Sequence, residues 1–107
     1  MKTKHFKVWV GYDKFIPITE VELNKALAAH ITGGVAVLGS GSVSGKSITL
    51  IEPDYHKALG YNDGYKLLPE DWEIINRDLP EYKGFIENRK MDVNHLISTG
   101  QEKKLLN

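Results

Sequence analysis

The sequence predicts a single α+β domain: a small antiparallel sheet of about three strands with helices packed on one face. Three observations carry that expectation. Residues 5–10 alternate apolar and polar side chains, residues 18–34 hold a full set of helix boundary signals, and two β-branched runs at 35–38 and 48–51 flank a stretch of turn formers. The long two-residue alternation of a closed barrel is missing from the chain.

The first strand sets Phe6, Val8 and Val10 on one side and Lys7 and Trp9 on the other. Gly11-Tyr12-Asp13-Lys14 then reads as a turn, and Phe15-Ile16-Pro17-Ile18 as a short extended piece. Pro17 has no N–H for a ladder, so this piece belongs at a sheet edge or leads into the helix. The first helix is placed at residues 20–32. Thr19 is suited to cap it, Glu22 stands three residues later as in a capping box, and Ile18 and Leu23 hold the positions of a hydrophobic staple. Leu23, Ala26, Leu27, His30 and Ile31 recur at helical spacing, which predicts a packed histidine at position 30. Gly33-Gly34 ends the helix because glycine takes the left-handed cap without a Cβ penalty.

The runs Val35–Leu38 and Ile48–Ile51 are predicted to pair as a hairpin across a loose connection from Gly39 to Ser47, with Pro53 ending the second strand. One helical turn is expected at 54–59, and the glycines and Asn-Asp pair of Gly60–Tyr65 demand a turn. Pro69, followed by Glu70 and Asp71, starts a helix whose buried stripe would be Trp72, Ile75 and Leu79. Pro80 interrupts it. A last helix over 81–99 carries Phe85, Ile86, Val93, Leu96 and Ile97 on one face, with Arg89 and Lys90 in its middle, and Gly100 caps it. The domain is placed at residues 1–100, with a frayed tail over 101–107.

Composition narrows the function classes. Leu, Ile, Val and Phe supply thirty of the 107 residues, enough for a core without staples. With no cysteine in the chain, disulfides, zinc–thiolate sites and thiol catalysis are excluded. No apolar run approaches the roughly 18 residues of a membrane span, and Met1–His5 leads into the first strand without the apolar core of a secretory signal. A cytoplasmic protein without membrane contact is expected. Fourteen basic residues balance fourteen acidic ones, which weighs against attachment to nucleic acid by overall charge. The charge is uneven, +3 over residues 1–14 and −4 over residues 69–81, which reads first as two solvated faces.

Several motifs invite chemistry. Gly45-Lys46-Ser47 has the ending of a phosphate-binding loop, but Ser40 stands where the first glycine belongs and a strand follows where a helix is needed. Glu52, Asp54 and His56 gather two carboxylates and an imidazole, yet a metal site needs three or four converging ligands, and Pro53 turns the chain between them. Asp54 reads better as a cap and His56 as a surface residue. No Ser-His-Asp arrangement is legible, since Ser40, Ser42, Ser44 and Ser47 suit turn chemistry. No catalytic residue, metal or cofactor is assigned. Lys7, Trp9, Tyr12 and Lys14 place aromatic rings beside cations on one strand and its turn, the pattern that stacks and tracks single-stranded nucleic acid. Tyr61, Asn62, Asp63 and Tyr65 form a turn whose tyrosines suit protein recognition, with large contact area and little entropy to lose.

Phe15-Ile16-Pro17-Ile18-Thr19-Glu20, the glycine-rich stretch, Ile51–Lys57, Gly60–Leu67 and Pro69-Glu70-Asp71-Trp72 resemble small proteins of no assigned activity encoded by bacteriophages and prophages, over residues 14–100. The resemblance implies a bacterial cytoplasm during infection or lysogeny and an accessory role, and it carries over no site residue. The leading expectation is a non-enzymatic accessory domain that binds a macromolecule, first of all a host or phage protein, through Tyr61, Asn62, Asp63 and Tyr65. The alternatives are a single-stranded nucleic-acid binder using Lys7, Trp9, Tyr12 and Lys14, and a small metal-dependent hydrolase around Asp54 and His56. The 81–99 helix offers itself to a second copy if its stripe exceeds what one core covers.

Overall fold

The computed structural model describes residues 4–39 and 41–100; the predicted frayed tail lies outside them. Among the described residues, five strands, β1 (His5–Val10), β2 (Lys14–Thr19), β3 (Val35–Leu38), β4 (Gly41–Ser44) and β5 (Ile48–Pro53), combine with four helices, α1 (Glu20–Thr32), α2 (Tyr55–Leu59), α3 (Pro69–Asp78) and α4 (Glu81–Ser98). The class is α+β. β1 is the centre of an antiparallel sheet of order β2-β1-β5, and β3 and β4 form a separate two-stranded ribbon.

The pairing corrects the predicted hairpin. Val35–Leu38 pairs with Gly41–Ser44, Leu38 opposite Gly41, and not with the run that starts at Ile48. The physical cause is the glycine at 39, whose φ of 59° turns the chain at once. Val43 then faces inward between outward Ser42 and half-buried Ser44, a strand alternation hidden in turn-forming residues. A 3-10 turn, Gly45–Ser47, leads into β5, which is thereby free to reach β1. Pro17 lies in an edge strand, opposite Lys7, where a missing N–H costs nothing on the solvent side.

The sheet's inner face is built from Phe6, Val8, Ile16, Ile18 and Ile51 and packs with α1 and α4. α1 is gripped by the sheet, by the ribbon with its 3-10 turn and by α4. Four consecutive residues, Ala26, Leu27, Ala28 and Ala29, are therefore all buried. At about 100° per residue they span most of the helix circumference. The consequence corrects the predicted stripe: His30 and Ile31 lie on the side that none of these elements covers and are exposed. The capping box does not form either. Thr19 makes no side-chain cap bond, and Glu22 accepts the Gly39 N–H at 2.8 Å and so reaches toward the ribbon rather than back to Thr19.

On α3, Ile75 is buried but Trp72 is 44% exposed, contrary to the predicted stripe. Trp72 touches Tyr55 edge-on at 5.6 Å, and the buried position beside it belongs to Asp71. α4 buries Tyr82, Ile86 and Val93 and lays Phe85 and Ile97 against the same core. Its apolar stripe is thus taken up inside this chain, with Met91 left exposed. Arg89 lies over the Phe85 ring at 5.4 Å, and Lys90 pairs with Glu87 at 3.2 Å. Among the described residues no helix is long and apolar enough to cross a membrane.

Candidate functional site

The sheet's outer face is two rows of side chains. Register places Phe15, Trp9 and Leu50 side by side in one row, and Pro17, Lys7 and Glu52 in the next. The rows are tied diagonally. Trp9 donates its indole N–H to Glu52 Oε1 at 2.8 Å, and Lys7 Nζ lies 4.8 Å above the Phe15 ring. The Trp9 and Phe15 rings meet at 5.1 Å.

Lys7 is not an outward cation. It is 7% exposed and held by Asp54 at 3.9 Å and Asp63 at 3.6 Å. A lysine buried between two carboxylates is compensated where it stands, so it has no free charge for a phosphate. Of the four residues expected to contact nucleic acid, Lys7 is neutralised and Trp9 is half-buried, while Tyr12 and Lys14 are exposed. They do not form one basic surface.

Tyr12 stands at the apex of the β1–β2 turn with 98% of its surface exposed. The turn that carries it is anchored. Gly11, at φ 72°, donates its N–H to the Ser47 carbonyl at 3.2 Å, and Thr49 donates its hydroxyl to the Gly11 carbonyl at 2.6 Å. Beside it, a shallow groove of about 300 Å³ is lined by Trp9, Gly11, Tyr12, Thr49, Leu50 and Glu52. Leu50 is 49% exposed there. Glu52 makes no ion pair among the described residues.

The predicted recognition turn is fastened at several points. Tyr61 donates its hydroxyl to Asp71 Oδ1 at 2.8 Å, and Asp71 Oδ2 accepts the Leu68 N–H at 2.8 Å. The Leu68 N–H and then the Tyr61 hydroxyl hold the Asp71 carboxyl below the usual carboxylate range, and the same bond pushes the Tyr61 phenol above its ordinary value. The Tyr61 and Tyr65 rings lie 4.3 Å apart. His56 Nε2 sits 2.6 Å from the Tyr65 carbonyl oxygen. That oxygen only accepts, so Nε2 carries the hydrogen. Asp63 binds Lys7, so the turn is clamped to the outer face of the sheet. Tyr61 is half-buried, Asn62 and Asp63 are exposed, and Tyr65 is 39% exposed. The four residues therefore combine a structural tyrosine with a partly open one.

The remaining motifs separate. Gly45-Lys46-Ser47 is a 3-10 turn followed by a strand, with no helix N-terminus behind it. Glu52 faces Trp9, Asp54 caps α2 by accepting the Lys57 N–H at 3.1 Å, and His56 faces Tyr65. Asp54 is buried and His56 is half-buried. Each of the three has its own partner, and among the described residues no group of three or more His, Asp or Glu could hold a metal ion. A wider cleft of about 950 Å³ lies among α2, the α3–α4 junction and the start of β1, lined by Lys4, His5, Lys57, Asp78, Leu79 and Tyr82 among others.

Sequence reasoning missed Leu50, Glu52 and Thr49 as members of the outer-face groove. Their membership depends on β5 pairing with β1, and the run at 48–51 was assigned to a different partner. The strict position of Glu52 opposite Lys7 is the signal that correct pairing would have exposed. Comparison with family models, curated proteins and solved structures gives no match for this chain.

Proposed function

We propose that this chain is a non-enzymatic accessory domain, of the kind phages and prophages encode, that binds a protein in a bacterial cytoplasm. The observation that carries the reading is Tyr12, 98% exposed on an anchored turn beside exposed Leu50 and the Trp9 row. An aromatic side chain with a pre-set backbone loses little entropy on contact, and aromatic anchors dominate protein interfaces. Tyr65 extends the same reading to the clamped turn.

Two further observations favour protein over the rivals. Lys7 is neutralised and Glu52 adds a negative charge to the groove, so a polyanion finds little to hold it there. Asp54 and His56, on which a hydrolytic reading rests, are turned to a helix cap and a backbone carbonyl.

The test is affinity capture from bacterial lysate with the wild type, with Tyr12→Ser/Leu50→Ser, and with Tyr65→Ala. A protein that the wild type enriches, that resists nuclease treatment and that the double variant loses is the expected result. Identical recoveries by wild type and double variant overturn the assignment of this face. Recovery that disappears on nuclease treatment and falls steeply with salt transfers the function to nucleic acid.

A further inference from the structure

We infer that the groove beside Trp9 receives the guanidinium of an arginine of the partner protein. This rests on the protein-binding reading above and gives that partner a chemistry.

Glu52 is the carboxylate of the groove, and it pairs with no cation among the described residues. Its Oε1 accepts the Trp9 indole N–H, which fixes the carboxylate and leaves Oε2 for a donor from outside. The lysine that register sets opposite Glu52 does not supply that donor, because Lys7 turns to Asp54, Asp63 and the Phe15 ring. The groove is therefore left with one negative charge that no cation among the described residues neutralises.

Trp9 and Tyr12 border the same groove as Glu52. A cation over an aromatic face is attracted by the ring quadrupole, most strongly at tryptophan. The fold already uses this contact, with Lys7 over Phe15 and both Lys4 and Arg89 over Phe85. A planar guanidinium stacks on a ring while donating to a carboxylate in its own plane, which a lysine ammonium does not do. At about 300 Å³ the groove is at the small end of ligand sites, which run to about 1,000 Å³, and it suits one side chain. Leu50 and Thr49 then contact the backbone and the neighbours of that arginine.

The probe is the capped tripeptide acetyl-Leu-Arg-Leu-amide, titrated into isotopically labelled full-length chain. The readout is the Trp9 indole N–H resonance, assigned with Trp9→Phe. Saturable shifts at that resonance and at the Leu50 and Glu52 amides are expected. The citrulline tripeptide, neutral and of the same shape, binds about tenfold more weakly or worse, since a charge-assisted bond to Glu52 is lost. Glu52→Gln keeps an acceptor for Trp9 and an unchanged melting temperature, yet weakens the arginine peptide by a similar factor.

Equal binding of the arginine and citrulline peptides overturns the inference, as does a shift pattern away from Trp9. Displacement of the arginine peptide by oligothymidylate at low salt overturns it in favour of nucleic acid. If no peptide binds while lysate capture still depends on Tyr12 and Leu50, the arginine assignment falls and the protein-binding reading stands. If capture is insensitive to those residues as well, both fall.

Discussion

A single methyl group at Gly45 tests how tightly the ribbon is seated on α1. A Cβ built there falls 1.7 Å from the Ala29 carbonyl oxygen and 2.3 Å from its carbon, half of an ordinary contact distance. The obstacle is helix backbone, so no side-chain rotation relieves it. The same oxygen accepts the Gly33 N–H at 2.8 Å, and the Gly45 N–H is bonded to the Gly34 carbonyl at 2.6 Å. Separating the two segments therefore loosens the helix cap and the crossing together. Overpacking at the upper end of its usual range costs about 3 kcal/mol, and a lost buried hydrogen bond adds about 1 kcal/mol. Gly45→Ala is thus expected to lose about 4 kcal/mol from a total stability of about 5–15 kcal/mol. For a domain of this size that lowers the melting temperature by about 15–30 °C. Urea titration followed by far-ultraviolet circular dichroism reads the midpoint. Gly64→Ala is the control, because its Cβ meets nothing within 4 Å and its φ is not in the left-handed region. It is expected to be neutral or stabilising by up to about 1 kcal/mol. A Gly45→Ala protein within 1 kcal/mol of wild type, on the order of measurement scatter between neutral substitutions, would refute the close seating of the ribbon.

Other substitutions probe the remaining features. Lys7→Met strands the buried Asp54 carboxylate and is expected to cost about 3 kcal/mol, the low end for a broken buried pair because Asp63 is half in solvent; a urea midpoint matching wild type contradicts the clamp. Thr19→Ala is expected to stay within about 0.5 kcal/mol, since its hydroxyl makes no cap bond, whereas Asp54→Ala loses about 1–2 kcal/mol from the missing α2 cap alone. Asp71 titrates below the usual carboxylate range in the fold. Its contribution is therefore full above the unfolded value near 4 and is lost as pH falls through the lower folded value. Melting temperature should drop across that acid window in the wild type and drop less in Asp71→Asn, and parallel curves count against the Tyr61–Asp71–Leu68 junction. Tyr12→Ala should leave the melting temperature unchanged, and a clear loss shows that the turn apex is not free.

The extent to which the fold was legible follows from what periodicity reports. Spacing of apolar residues located β1, α1 and α4, and punctuation by Gly33-Gly34 and Pro80 bounded them. Pairing is a different kind of information. The ribbon forms because Gly39 reverses the chain early, and the strand it reaches, Gly-Ser-Val-Ser, carries one apolar side chain and is camouflaged as a loop. His30 escaped because a stripe assumes one partner face, while α1 packs against the sheet, the ribbon and α4. Lys7 was legible as an outward residue of β1 but not as a buried one, since Asp63 arrives over it from a distant turn. The same long-range closure hid Glu52 behind Trp9.

The central position of β1 has a consequence for synthesis on the ribosome. Its hairpin partner β2 emerges immediately after it, but its other neighbour, β5, does not emerge until α1 and the whole ribbon have left the tunnel. Until then β1 carries an unsatisfied edge, and Trp9 lacks both Leu50 and Glu52. Closing that edge is a late, non-local step, slow relative to helix and hairpin formation. The nascent chain is most exposed to misassociation between the appearance of Val10 and the arrival of Pro53.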